Sequence, residues 1–278
     1  MATVNRRHAR LGPSSSEIWL NCLGAPAEWL KRPPRRVGFA AHEGTLAHAL
    51  CEAASQINDI PWTPGMTFDV EGSQIEVTPD MLNAVQLFTN TVNMLSDLCL
   101  WRMVEGEVSL AWLWGGDEPP EDIFGTLDFA ACDAFTLYVL DFKYGMGKAV
   151  RVDRNTQLLI YALACLFKLQ HERPELYKTL ETVCLAIVQP RAGGDPVRQW
   201  TIPVGDLLYW GYAVLKPSID RITLNGAQLP LTAGNHCFFC AASMDCPEYR
   251  RLKMQRSLDS FPTYDPNSED LDFAEEMI

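Results

Sequence analysis

The stretch that decides the fold is Phe124-Gly-Thr-Leu-Asp-Phe-Ala-Ala-Cys-Asp-Ala-Phe-Thr-Leu-Tyr-Val-Leu-Asp-Phe-Lys143. It holds two short runs, residues 124–131 and 135–142, that are rich in aromatic and β-branched residues. Two such runs around a tight turn predict an antiparallel β-hairpin. In this hairpin Asp128 and Asp141 can lie opposite each other. Asp141 and Lys143 are two residues apart on one strand, so their side chains share a face.

The segments around the hairpin predict an α/β fold with a central mixed sheet flanked by helices. Apolar patterns of period two favour strands, and patterns of period 3.6 favour helices. The strand patterns cover residues 104–112, 182–189 and 197–202, and the helical patterns cover residues 44–57, 79–103, 153–169 and 204–223. Gln157 and Tyr161 are four residues apart on the helix that follows the hairpin, so they lie on one helical face.

The charged residues of the hairpin are difficult to explain by packing, because a charge on a buried strand is costly unless it pairs or binds a metal. The carboxylates of Asp128 and Asp141, with the backbone carbonyl of Phe142, suit a hard divalent ion such as Mg²⁺ or Mn²⁺. A lysine beside that ion can orient or deprotonate a water for attack on phosphorus, which predicts phosphodiester hydrolysis. The alternative is a salt bridge between Asp141 and Lys143, with Asp128 capping a turn.

The chain has nine cysteines and no signal peptide, which indicates a reducing compartment rather than a disulfide framework. Five of them lie singly in apolar segments and are interpreted as core residues: Cys51, Cys99, Cys132, Cys165 and Cys184. Cys237, Cys240 and Cys246 crowd one loop and predict a metal site. The fourth ligand stays open, since Cys22 gives a four-thiolate site suited to a 4Fe-4S cluster, whereas His236 gives a zinc site.

Several motifs resemble those of a known nuclease family. Gly125-x-x-Asp128, Asp141-x-Lys143 and Gln157-x-x-x-Tyr161 look like the RecB-like branch of the PD-(D/E)XK nucleases. The upstream stretch Glu43-Gly-Thr-Leu-Ala-His48 looks like the helical motif of that branch. Cys22 and the group Cys237-x-x-Cys240-x5-Cys246 match the split cysteine pattern of members that carry an iron–sulfur cluster. These members include the small CRISPR-associated exonucleases, the AddB nuclease domain and phage relatives.

The resemblance implies a restriction-endonuclease-like core whose N- and C-terminal segments are joined by a 4Fe-4S cluster, or alternatively by Zn²⁺. It also implies that His48 is a further ligand of the divalent ion, although a histidine on an apolar helix is more often a core residue. Glu105 is another candidate ligand, with a solvent-facing strand edge as the alternative. Gln157 and Tyr161 would hold the scissile phosphate or Lys143.

The function implied by the resemblance is that of a Mg²⁺- or Mn²⁺-dependent DNA exonuclease. It would act on single-stranded DNA or DNA ends with 5′-to-3′ polarity, in recombination, repair or phage DNA metabolism. Two alternatives keep the fold without the chemistry: a non-catalytic nucleic-acid-binding module and a zinc-stabilised adaptor. A P-loop is excluded, because Phe142 stands where its first glycine is required.

Composition bounds the class of protein. The chain is 47% hydrophobic and 21% charged, as in an ordinary globular domain, and no apolar run nears the ~20 residues of a transmembrane helix. We therefore expect a cytoplasmic protein without membrane contact. The net charge of −12 argues against nucleic acid, but residues 1–36 carry seven basic and two acidic residues. We predict a nuclease domain over residues 1–258 and an acidic, disordered tail over residues 259–278 that could contact a protein partner.

Overall fold

The structure is a computed structural model, and it describes residues 9–32, 38–115 and 123–260. Its helices are α1 (Ser16–Asn21), α2 (Ala25–Trp29), α3 (Phe39–Ile57), α4 (Pro79–Ser96), α5 (Thr156–Glu172), α6 (Pro174–Thr179), α7 (Val204–Trp210), α8 (Lys216–Asn225) and α9 (Pro247–Ser260). Its strands are β1 (Thr67–Val70), β2 (Ser73–Glu76), β3 (Trp101–Ser109), β4 (Phe124–Cys132), β5 (Thr136–Phe142), β6 (Thr182–Val188) and β7 (Val197–Pro203). A π-helical turn, Gly211–Leu215, joins α7 to α8.

The chain forms a mixed α/β fold around a five-stranded sheet of order β3-β4-β5-β6-β7. Neighbouring strands are antiparallel except β5 and β6, which are parallel. A parallel pair needs a crossover connection, and α5 and α6 provide it. The predicted α/β class with a central mixed sheet is therefore confirmed.

The predicted hairpin is confirmed as β4 and β5. Its register pairs Phe129 with Leu140, so the next position places Asp128 opposite Asp141. The turn is closed by the Asp133 carboxylate, which accepts hydrogen bonds from the backbone N–H groups of Phe135 and Thr136 at 2.7 Å. This turn fixes the register, and the register fixes which acidic residues meet.

Helices cover both faces of the sheet and bury two apolar layers. On one face α5 packs through Leu159, Leu163 and Leu166, together with residues of α7 and α8. On the other face α3 and α4 cover Phe129 and Phe142. A sheet packed on both sides has little freedom to shift. The middle of β4 and the end of β5 are thus rigid supports for Asp128 and Asp141.

One predicted helix is wrong at its C-terminal end. The apolar pattern of residues 79–103 predicts a single helix, but α4 ends at Ser96 and β3 begins at Trp101. Leu98 and Leu100 continue the apolar pattern, yet both are exposed. The reason is non-local, because residues 101–104 pair with residues 129–132 of β4. The predicted strand 104–112 accordingly runs over Trp101–Ser109 instead.

The N- and C-terminal segments of the described chain meet. Cys22 and Ala25 form a small buried cluster with Cys240 and Ala242, more than 200 residues away in sequence. Helix α9 reaches Ser260, and the rest of the predicted acidic tail lies outside the described residues. No helix in the described parts of the chain is long and apolar enough to cross a membrane.

Candidate active site and metal centre

Three side chains from separate elements form a compact group that could hold a metal ion. His48 lies on α3, Glu105 on β3 and Asp128 on β4, and one ligand atom from each lies within 4.8 Å of the others. The Asp128 carboxylate is oriented from both sides. His48 Nδ1 lies 3.0 Å from its Oδ1, and the Phe142 backbone N–H donates to its Oδ2 at 2.6 Å. One imidazole and two carboxylates could therefore bind a single metal ion.

A break in the β3–β4 ladder brings Glu105 and Asp128 together. The ladder pairs Val104 with Phe129 and Gly106 with Leu127, and it omits the Glu105–Asp128 pair between them. Glu105 has a φ of 45°, which is rare for a residue with a side chain. Leu127 and Phe129 are two residues apart, yet they pack in opposite layers of the core. The normal alternation of side chains is thus interrupted at the two acidic residues, as happens at functional sites.

Asp141, Lys143 and Gln157 form a closed hydrogen-bonded triangle beside this group. Lys143 Nζ lies 2.9 Å from Asp141 Oδ2 and donates to Gln157 Oε1 at 3.0 Å. Gln157 Nε2 donates to Asp141 Oδ1 at 2.9 Å. The side chain of Gln157 thus fixes both ends of the Asp141–Lys143 pair. Asp141 is not one of the three residues of the compact ligand group, but its carboxylate lies on the strand next to Asp128.

The charges of the two groups perturb one another. Burial raises the pKa of Asp141 above its usual value. Burial also acts on Asp128, but His48 and the Phe142 N–H outweigh it and hold the Asp128 pKa below its usual value. Burial would lower the pKa values of Lys143 and His48, yet both are raised because each faces a carboxylate. A histidine that ligates a metal is neutral, so three carboxylates, including Glu105, would then face only the Lys143 ammonium group, and a divalent cation would balance the remaining negative charge.

Tyr161 and Phe142 pack beside the site on opposite faces of the sheet. Burial raises the pKa of the Tyr161 hydroxyl, which lies one helical turn from Gln157. A Cβ atom added to Gly125 would lie 2.9 Å from Pro13 Cγ and 3.0 Å from Tyr161 Cε1, so a larger residue would force these side chains to shift. The Phe142 ring meets the His48 ring edge-on, with centroids 5.2 Å apart. The Phe142 carbonyl remains a predicted metal ligand.

A second centre lies where the terminal segments meet. Cys22, Cys237, Cys240 and Cys246 all line one small cavity, and none of them is in a disulfide. Cys22 directly follows α1, Cys237 lies within a 3-10 turn that Cys240 follows, and Cys246 directly precedes α9. Within the described parts of the chain, His48, Glu105 and Asp128 alone bring three such ligand atoms within 4.8 Å of one another. The four sulfurs therefore surround the cavity, but no three of them lie within 4.8 Å of one another.

Backbone and indole N–H groups point at the cysteine sulfurs. Thr232 N–H donates to Cys22 Sγ at 3.3 Å, and Gly234 N–H donates to Cys237 Sγ at 3.4 Å. The Trp29 indole donates to a third sulfur, that of Cys240, at 3.4 Å. Burial nevertheless raises the pKa values of Cys22 and Cys237. Donors of this kind favour thiolates, and a bound metal would supply the missing positive charge.

The other residues selected from the sequence are His236 and the five single cysteines. His236, the alternative zinc ligand, also borders the cavity, but its Nε2 donates to the Thr232 carbonyl at 3.0 Å. Cys51, Cys132, Cys165 and Cys184 are buried, and Cys99 is half-buried, in agreement with their interpretation as core residues. Sequence reasoning did not select Gln189, which is 3% exposed and hydrogen-bonded to the loop after Lys143. Its one signal is a polar residue at the end of an apolar strand pattern.

The profile of one protein family matches residues 8–272, which is nearly the whole chain. The chain belongs to this family, described as "Protein of unknown function (DUF2800)". Two solved structures are also similar. A crystal structure of a "Putative exonuclease" from Eubacterium rectale is 11% identical, covers 96% of each chain and has a TM-score of 0.43. The crystal structure of SSO0001 is 15% identical, covers 60% of this chain and 67% of that chain, and has a TM-score of 0.32. At these values neither likeness assigns a function to this chain.

Proposed function

We propose that this protein is a divalent-metal-dependent deoxyribonuclease that hydrolyses phosphodiester bonds. The observation that carries the proposal is the placement of the His48, Glu105 and Asp128 group beside the Asp141–Lys143–Gln157 triangle. A packing role does not explain two buried aspartates on adjacent strands. Carboxylate oxygens are the ligands that Mg²⁺ and Mn²⁺ prefer, so the donor set fits either ion.

In this proposal the ion is held by His48, Glu105 and Asp128, with Asp141 and the Phe142 carbonyl as further ligands. When bound, the ion would polarise a phosphoryl oxygen and lower the pKa of a bound water. The protein's own contribution is orientation. His48 and the Phe142 N–H fix both oxygens of Asp128, so its carboxylate cannot rotate away.

Lys143 would position the attacking water. An ammonium group has three N–H donors, and Lys143 spends two of them on Asp141 and Gln157. The third donor is available to a water or to a phosphoryl oxygen. Gln157 holds the lysine in place, and buried Tyr161 supports Gln157 from the next helical turn. Fixed donors of this kind stabilise charge that develops on oxygen during hydrolysis.

We also propose that the cysteine centre holds a 4Fe-4S cluster. In a tetrahedral zinc site with Zn–S bonds of about 2.3 Å, the sulfurs would lie about 3.8 Å apart. The wider arrangement around a shared cavity supports a cluster, in which each thiolate binds a different iron. Such a cluster would join α1 to the loop before α9, so its role is structural.

The preferred substrate is proposed to be single-stranded DNA or DNA with free ends, cut with 5′-to-3′ polarity. The polarity and the setting in recombination, repair or phage DNA metabolism come from the resemblance of the motifs alone. Protein purified without oxygen should therefore degrade linear single strands with Mg²⁺ or Mn²⁺, and EDTA should stop the reaction.

End-labelled oligonucleotides and a closed circle test these details. Mononucleotides released first from a 3′ label would refute the polarity. Efficient cutting of a covalently closed single-stranded circle would replace exonuclease with endonuclease. If no DNA is cut with either metal, a non-catalytic binding module or an adaptor becomes the better explanation of the fold.

A further inference from the structure

We propose that two loops beside Lys143 form a phosphate-binding wall for the substrate strand, with Lys148 and Arg191 as its contact residues. The first loop, residues 144–154, follows strand β5, and the second, residues 189–196, connects β6 to β7. This inference rests on the proposed nuclease function. It names the residues that would hold the DNA backbone next to the reacting phosphate.

The two loops are physically joined. Gly147 and Ala192 form an isolated parallel bridge, so Lys148 and Arg191 flank the same junction. The first loop is anchored at its start as well, since the Lys143 backbone N–H donates to the Val188 carbonyl at 2.9 Å. A displacement of either loop would therefore also move the other.

Gln189 holds this junction together from inside. Its Oε1 accepts from the Val150 N–H at 2.9 Å and from Arg198 Nη2 at 2.7 Å. Its Nε2 donates to the carbonyls of Gly145 at 3.3 Å and Lys148 at 3.4 Å. One buried, uncharged side chain thus connects both loops without adding charge to their surface.

Aromatic contacts fix Arg191 relative to the metal group. The Arg191 guanidinium lies 4.3 Å from the centroid of the Tyr144 ring, and that ring stacks on Phe142. The Phe142 ring in turn meets His48. When the flat face of a guanidinium packs on an aromatic ring, the N–H groups at its edge can still donate hydrogen bonds to an anion. The contact therefore presents a phosphate donor on the same side of the sheet as His48.

The charge of the two loops contrasts with that of the chain. Residues 144–154 and 189–196 contain four Lys or Arg and two Asp, whereas the whole chain carries −12. Arg151 pairs with Asp153. No described acidic residue forms an ion pair with Lys148 or Arg191. Cations without a local carboxylate partner, beside an acidic metal site, suit a polyanion whose phosphates run past that site.

The experiment is the salt dependence of DNA binding. A fluorescein-labelled single-stranded oligonucleotide is titrated with the full-length protein in EDTA, so that no cleavage occurs, at several KCl concentrations. Each phosphate neutralised on a single strand contributes about −0.7 to the slope of log K against log salt. Lys148→Gln and Arg191→Gln should each reduce the magnitude of the slope by about 0.7, and the double variant should reduce it by about 1.4.

Two further variants separate local contacts from net charge. Lys178→Gln on α6 makes the same charge change at a side chain that is 64% exposed, and it should leave the slope unchanged. Gln189→Leu leaves the charge unchanged and should still reduce the slope, because it releases the loops. Thermal melting shows whether Gln189→Leu folds; if it does not, the two surface variants decide.

Equal slopes for Lys148→Gln, Arg191→Gln and Lys178→Gln would overturn the wall while leaving the nuclease proposal intact. A folded Gln189→Leu variant with the wild-type slope would overturn the bracing role of Gln189. Failure of the wild-type protein to bind DNA in EDTA would also overturn the wall. Failure to cut DNA with either Mn²⁺ or Mg²⁺ would instead overturn the proposed function itself.

Discussion

Replacing Lys143 with methionine should destabilise the metal-free protein by about 3 kcal/mol. Asp141 is 4% exposed, and its Oδ2 lies 2.9 Å from Lys143 Nζ. Methionine keeps the length of the side chain but removes the charge and the donors, which leaves Gln157 as the remaining partner of Asp141. Removing one partner of a buried ion pair costs about 3–5 kcal/mol. The lower end applies because the Lys143 side chain is 29% exposed.

Urea unfolding in EDTA, followed by circular dichroism, measures this loss. For a domain of this size, about 3 kcal/mol corresponds to a decrease in Tm of about 6–12 °C. Asp141→Asn removes the opposite charge, so the double variant should lose less than the sum of the single losses, with a coupling of about 1–3 kcal/mol. Lys168→Met is the matched control. Its pair with Glu172 spans 2.7 Å on the surface, and breaking it should cost less than about 1 kcal/mol.

The reasoning would be refuted if Lys143→Met were within about 0.5 kcal/mol of the wild-type stability. It would equally be refuted if the losses of the two single variants simply added, because the ion pair would then contribute no coupling.

Three other predictions concern the two centres and their support. Glu105→Gln should weaken Mn²⁺ binding at least about tenfold, measured by calorimetry, because a ligand oxygen loses its charge. Glu107→Gln on the same strand is the control and should leave the affinity unchanged. Equal affinities of the two variants would show that Glu105 is not a ligand. Cys22→Ser should abolish the visible absorption of protein purified without oxygen, whereas Cys165→Ser in the core should keep it. A colourless wild-type protein with one equivalent of zinc would contradict the iron–sulfur cluster. Gly125→Ala should cost about 1–3 kcal/mol in urea unfolding, because the added Cβ would crowd both Pro13 and Tyr161. An unchanged midpoint would show that the two rings can move aside.

The core of the site could be predicted from the sequence because its residues lie on two local patterns. Asp128, Asp141 and Lys143 follow from the period of two in a single hairpin, and Gln157 follows from the period of the next helix. Each of these relations spans fewer than 30 residues. Local periodicity and turn chemistry determine such relations without knowledge of the rest of the fold.

The features that could not be predicted depend on distant partners. The end of α4 is set by the pairing of Trp101 with Cys132, which no helical period reveals. The role of Glu105 as a metal ligand could not be decided from the sequence, because its position depends on a break in the β3–β4 ladder and on a positive φ. Gln189 was missed because the loop atoms it binds are 39 to 44 residues earlier in the chain.

The rate of nucleotide release from linear single-stranded DNA, with Mn²⁺ present, tests the central claim most directly. Wild-type protein purified without oxygen should release nucleotides, and Asp128→Asn should release them at least about a hundredfold more slowly. The reason is that a neutral amide binds the ion poorly, while the hydrogen bond from the Phe142 N–H survives. Wild-type and Asp128→Asn proteins with equal rates, or no release by the wild-type protein with either Mn²⁺ or Mg²⁺, would contradict the proposed metal-dependent nuclease.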